Sequence, residues 1–189
     1  MSAKDEFVRV FNESIGREGA GDLLNWLEST DFFTAPASTR YHSCHEGGLV
    51  EHSLNVYHRL EQIYRQESKG IVTDEHDETF AICGLLHDVC KANFYKESTR
   101  NVKNDETGKW EKVPYYSIDE KFPFGHGEKS VFLIERFMRL TPEEAVAIRF
   151  HMGEFEKDRS TSDAYSKYPL AVMLHVADLE ATYIDERNE

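Results

Sequence analysis

Residues 80–91 read FAICGLLHDVCK, an apolar run that ends in an imidazole and a carboxylate. Phe80 to Leu86 is apolar on all sides, which predicts a helix over 75–91 at the centre of the fold. Asp88 at the end of such a helix is expensive to bury unless a cation or strong donors accompany it. Upstream, Val50, Leu54, Tyr57 and Tyr64 form one stripe of a helix predicted over 48–67 and ended by Gly70. His52 lies one turn before Val56 on that helix and borders its buried face. Before it come a helix over 5–16, a short helix capped by Asp22 and a loop over 31–47. Downstream, residues 97–118 are polar and carry Val102, Trp110, Val113 and Tyr115 in alternation around Asp105 and Gly108, which predicts a β-hairpin. Helix returns over 127–140, with His126 at its start. Thr141-Pro142-Glu143-Glu144 then predicts a capped helix running to Met152. A polar stretch from 154 to 167 leads to a last helix over 168–186, where HVADLEA places Asp178 among apolar residues. The reading is one all-α domain over 1–189, with a lead-in over 1–40, a core over 41–182 and a small hairpin inserted at about 97–118.

Composition sets outer bounds on function. The chain has 189 residues, 40% of them hydrophobic, which is enough apolar material for a core. No apolar run reaches the ~20 residues that a membrane helix needs. Lys and Arg total 22 against 35 Asp and Glu, a net charge of −13 that disfavours binding of long nucleic acid. Small anions stay possible, because a bound metal reverses the local field. The N-terminal MSAKDEFVRVF lacks the layout of a secretion signal, and three cysteines without a CxxC pair do not make a disulfide framework. The expectation is therefore a cytoplasmic protein. Cys83 and Cys90 read as small core residues.

The ionisable residues on apolar helices define the chemistry. His52, His87, Asp88, His151 and Asp178 lie on or at the ends of several predicted helices beside apolar positions, and His126 lies at a helix start between Gly125 and Gly127. Taken singly, each can be a hydrogen-bonded core residue. Taken together, each would need its own separate buried partner, whereas a divalent metal answers both acids at once. His42, Cys44 and His45 offer a weaker zinc alternative. His175 flanks Asp178 and reads as a supporting or core residue, while His58 and His76 read as solvated.

The ordered set GGLVEHSLNV (His52), GLLHDVCK (His87, Asp88), GHGEKS (His126), FHMG (His151) and HVADLEA (Asp178) resembles the HD-domain metal-dependent phosphohydrolase superfamily. It looks closest to the branch containing bacterial HD-type exoribonucleases, without room for their separate nucleic-acid-binding domain. The resemblance implies that His52, His87, Asp88 and Asp178 hold one divalent metal. Asp88 would bridge to a second, held also by His126 and His151; if either of those rings points away, one ion remains. An imidazole-rich shell favours Mn, Fe, Co, Ni or Zn over Mg or Ca. Lys91, beside the catalytic Asp88, would lie near the substrate phosphate. Cys90 stands where the family usually has glycine. Tyr41, His42 and His45 precede the first ligand helix, and His45 is the best of them for substrate binding. The hairpin, with Arg100, Lys103, Trp110 and Tyr115, is expected to wall or cover the site, and 154–167 to do so from the other side. The expected activity is hydrolysis of a small phosphoester, a nucleotide, by metal-activated water. The alternatives are a nuclease or cyclic-dinucleotide phosphodiesterase, and a non-catalytic metal-containing binding module.

Overall fold

Side-chain caps start two of the helices that frame the interior. In the computed structural model, residues 1–39, 43–68, 73–104, 107–156 and 159–187 are described. Ser2 opens α1 (Ala3–Ser14) with a capping box, its hydroxyl accepting from the Asp5 N–H while the Asp5 carboxylate accepts from the Ser2 N–H. α1 buries Phe7, Val10 and Phe11, the three- and four-residue spacing of one helix face. α2 (Ala20–Glu28) is capped by Gly19, not by Asp22 as expected. Asp22 sits in the first turn instead, where its charge complements the helix dipole.

α3 (Gly48–Glu67) matches the predicted 48–67. It buries Val50, Leu54 and Leu60 and leaves Tyr57 and Tyr64 half-buried. Gly70, read as the end of that helix, lies outside the described residues. α4 (Asp74–Leu86) stops before the doublet, short of the expected end at residue 91. Asp88 has φ −109° and ψ 19°, outside helical values, and a short 3₁₀ turn, Val89–Lys91, follows. Phe80 to Leu86 is buried throughout, so the central position of this helix is as expected.

The insertion is an antiparallel hairpin of β1 (Tyr95–Lys103) and β2 (Trp110–Ile118), with Tyr95 opposite Ile118 and Lys103 opposite Trp110. It starts two residues before the expected boundary. Asp105 of its turn lies outside the described residues. α5 (His126–Glu135) is shorter than predicted and begins on the histidine itself. Thr141 caps α6 (Pro142–Phe150) with the expected box to Glu144. The polar stretch contains a helix that was not foreseen, α7 (Thr161–Lys167), which buries only Thr161 and Ala164 and so shows no apolar period. α8 (Pro169–Glu180) continues into a π-helical turn, Ala181–Asp185.

These eight α-helices among the described residues enclose a buried cluster running from Phe7 to Ala181. α3 packs on α4 and α8, and α6 packs on α5 and α8. The architecture is consistent with the expected HD-type helical fold with a small hairpin. Among the described residues, no helix is long and apolar enough to cross a membrane.

Candidate metal centre

Two glycine contacts bring the histidine-bearing helices together. A Cβ at Gly84 would lie 2.5 Å from the Tyr57 Cα, so α4 meets α3 with no side chain between them. One turn beyond, His87 Nδ1 donates to the Gly84 carbonyl at 2.8 Å. His52, on α3, donates from Nδ1 to Glu186 Oε1 at 2.9 Å. Each ring therefore directs its Nε2 inward, and the two Nε2 atoms stand 3.3 Å apart. Asp178 Oδ1, from α8, is 3.3 Å from His52 Nε2, and Asp88 Oδ2 is 3.7 Å from the same atom. The two acids, Asp88 buried and Asp178 half-buried, thus converge on one imidazole, across three elements.

The second contact is at Gly127, where a Cβ would lie 2.3 Å from the Arg149 carbonyl oxygen of α6. It seats the start of α5, and so His126, against the end of α6, and so His151. His126 Nε2 is 2.8 Å from Asp88 Oδ1, and His151 Nε2 is 3.6 Å from the same oxygen. His151 Nδ1 donates to the Ile148 carbonyl at 2.7 Å, which leaves its Nε2 buried with no hydrogen-bond partner. Asp88 accordingly turns Oδ2 toward His52 and His87, and Oδ1 toward His126 and His151.

The electrostatics follow from this crowding. Burial opposes charge on Asp178, but His52 and the rings of His87 and His151 outweigh it and hold the carboxyl well below the usual range. Burial likewise opposes the charge on Asp88, and Lys91, His87 and His126 overcome it. Lys91 Nζ sits 2.6 Å from Asp88 Oδ2 and is buried with it. For His52, burial disfavours the proton, yet Asp178 and Glu186 lift its pKa to about 9. His126 is pushed up to about 10 by Cys90 and Asp88 against the same cost of burial. In the metal-free protein, protons on these rings balance acids that an ion could balance instead.

The residues fit a divalent cation. An orphaned buried Nε2 beside a carboxylate oxygen is unfavourable for both atoms unless a cation stands between them. Among the described residues, three groups place ligand atoms within 4.8 Å of one another: His52, His87 and Asp178; His87, Asp88 and His151; and Asp88, Cys90 and His126. Residues 49–182 match the HD domain family. The chain belongs to this family. HD domains generally bind divalent metals and act as metal-dependent hydrolases, and the match reaches the superfamily without singling out a branch within it. No curated protein and no solved structure matches the chain.

A cavity of about 400 Å³ opens over this HD-domain centre, lined in part by His52, Asp88, Lys91 and Asp178, with Met152, Phe155, Leu179 and Tyr183 on its walls. Phe155 brings the 154–167 stretch to the cavity, as expected. Among the described residues, the hairpin contributes no lining residue to it. His45 is also absent from it: its ring is 3.3 Å from Glu51 and faces a separate groove with Glu97, Arg100 and Tyr115 of the hairpin. Thr39 and Cys44 line that groove with it, so this part of the segment before α3 faces the hairpin. Tyr41 and His42 lie outside the described residues. His175 does support the centre, donating from Nδ1 to the His151 carbonyl at 2.6 Å.

Glu186 escaped the sequence reading. It accepts from His52 Nδ1, from Ser43 Oγ at 2.7 Å and from Asn55 Nδ2 at 3.1 Å. An acid in a polar tail carries no periodic signal; only the π-helical turn after α8 swings it back to α3.

Proposed function

We propose that this HD-domain chain hydrolyses a small phosphoester, specifically a nucleotide, with a metal-dependent site built from His52, His87, Asp88, His126, His151 and Asp178. One observation carries the reading: the buried Nε2 atoms of His87 and His151 and two carboxylates face one another beside the Lys91 ammonium, next to a cavity that the carboxylates line. His52, His87 and Asp178 would hold one ion, and Asp88, with its oxygens directed to opposite ring pairs, would be shared with a second. Bound divalent ions supply an acidified water and charge neutralisation for phosphoryl oxygens. The imidazole-rich donor set suits Mn, Fe, Co, Ni or Zn.

The protein's own groups do the rest. Lys91 is held against Asp88 on the cavity lining, where its ammonium is placed to meet a phosphate oxygen. Met152, Phe155, Leu179 and Tyr183 provide an apolar wall suited to a flat base, and about 400 Å³ falls within the range of small-molecule pockets. No serine or cysteine nucleophile is required. Net charge −13 favours a short substrate over a long polymer.

The test is Asp88→Ala. Turnover of a phosphoester panel should vanish and metal content fall, while far-ultraviolet dichroism stays helical. Full activity in that variant, or activity that survives exhaustive chelation, sinks the proposal. The panel should hold a nucleoside monophosphate, a cyclic dinucleotide and a short single strand; preference for either of the latter two redirects the substrate assignment to the diesterase or nuclease alternative. Tight nucleotide binding with no turnover under any divalent metal points instead to a binding module.

A further inference from the structure

Cys90 reads in the sequence as a small core residue, and its surroundings are not those of a core residue. The thiol is 2% exposed, yet it stands outside the hydrophobic cluster that takes in Cys83 and Val89. It lies on the 3₁₀ turn that begins just after Asp88, and its backbone N–H donates to Ser130 Oγ of α5 at 3.2 Å. That bond ties the turn to the helix that starts at His126. The Cys90 sulfur, a carboxylate oxygen of Asp88 and a ring nitrogen of His126 all lie within 4.8 Å of one another. A second observation points to a ligand at the same place. His151 Nε2 is buried, has no hydrogen-bond partner and lies 3.6 Å from the Asp88 oxygen that faces His126.

We propose that Cys90 is a metal ligand, its thiolate joining Asp88, His126 and His151 to make a sulfur-containing second seat. This rests on the metal-dependent reading above and adds to it the class of ion. Four donors of types S, N, N and O suit a tetrahedral, borderline-soft ion such as Zn²⁺ or Co²⁺, whereas Mg²⁺ and Ca²⁺ prefer oxygen. On binding, the S–H bond breaks, the proton leaves to solvent and a metal–sulfur bond forms, with no change of oxidation state. The first seat, with His52, His87 and Asp178, contains no sulfur, so the two seats differ in chemistry.

Titration of metal-stripped protein with Co²⁺ tests this, because a cobalt–thiolate bond gives a near-ultraviolet charge-transfer band that imidazole and carboxylate ligands do not. The wild-type protein should develop the band. Cys90→Ser should lose it and bind its weaker equivalent about 10–100-fold less tightly, a ligand counting for at least as much as the groups that orient ligands. Cys83→Ala and Cys44→Ser should keep the band. Bound cobalt without the band, or a band that persists in Cys90→Ser, overturns the Cys90 assignment and leaves the metal-dependent reading standing. No cobalt binding at all overturns both. Should Cys90→Ser fail to fold, X-ray absorption on zinc-loaded wild-type protein decides the matter: a sulfur neighbour at about 2.3 Å supports the assignment, and a shell of nitrogen and oxygen alone refutes it.

Discussion

Glu186 is the residue on which His52 depends for its orientation. Its Oε1 receives the His52 Nδ1 proton, and Ser43 and Asn55 hold the carboxylate in place. Carboxylates that orient a ligating histidine typically matter 10–100-fold in metal affinity. Glu186→Gln should therefore weaken metal binding by about 10–100-fold in a competition titration, with the fold intact. The protonated rings give a second outcome. His52 at about 9 and His126 at about 10 both carry protons at pH 7 in the metal-free protein. Ions bind only deprotonated imidazole, so uptake at pH 7 should release about two protons from these rings, and one more from the Cys90 thiol on forming the metal–sulfur bond. Calorimetry in buffers of different ionisation enthalpy reads this number, and affinity should rise as pH is raised from 7 through 9. The stability of the metal-free protein should run the other way. The folded His52 pKa lies above its unfolded value near 6.5, so its contribution is complete below about 6.5 and is lost as pH rises through about 9.

Helix packing decides whether these rings meet. Gly84 lets α4 lie against the backbone of α3, and Gly127 lets α5 lie against the carbonyls of α6. Gly84→Ala puts a Cβ 2.5 Å from the Tyr57 Cα, a backbone atom that cannot rotate away. Overpacking of this kind costs about 1–3 kcal/mol. The variant should show that loss in chemical denaturation and should lose metal affinity further, because the His52–His87 pair spans the wedge. Stability and metal content unchanged from wild type would contradict the packing argument. The hairpin plays a different part from the one its sequence position suggests. It follows the His87-Asp88 doublet in the chain, but its strands wall the groove that holds His45 rather than the cavity over Asp88.

Across the fold, a second, partly buried polar cluster shares no residue with the metal centre. Arg17, between α1 and α2, reaches Glu144 of α6 at 2.7 Å and Glu78 of α4 at 3.0 Å. Glu144 is fully buried and also accepts from Thr79 and from the Thr141 N–H. The guanidinium beside these acids is held charged well above its ordinary range. Arg17→Ala leaves Glu144 buried without its cation and should cost about 3–5 kcal/mol in denaturant unfolding. Metal affinity measured in the folded population should not change, because the cluster shares no residue with the metal centre. A parallel loss of metal affinity would show that the two are coupled.

Much of this was legible along the chain because periodicity and capping are local. The 48–67 helix, the Thr141 box and the buried Phe80–Leu86 run each depend on neighbours within a turn or two. The histidines and acids that make up the motif were legible too, since buried charge on an apolar helix is anomalous wherever the helix goes. The end of α4 before Asp88, the seven-residue α7 and the groove that takes His45 were not, because each is set by packing between distant segments. Glu186, from a tail with no pattern of its own, and Cys90, indistinguishable by sequence from a core cysteine, gain their roles only where α3, α5 and the turn after α4 converge. Ligand types can be read from composition and order, but the direction in which each ring and carboxylate points is a property of three-dimensional contact, and that alone decided which atoms face one another.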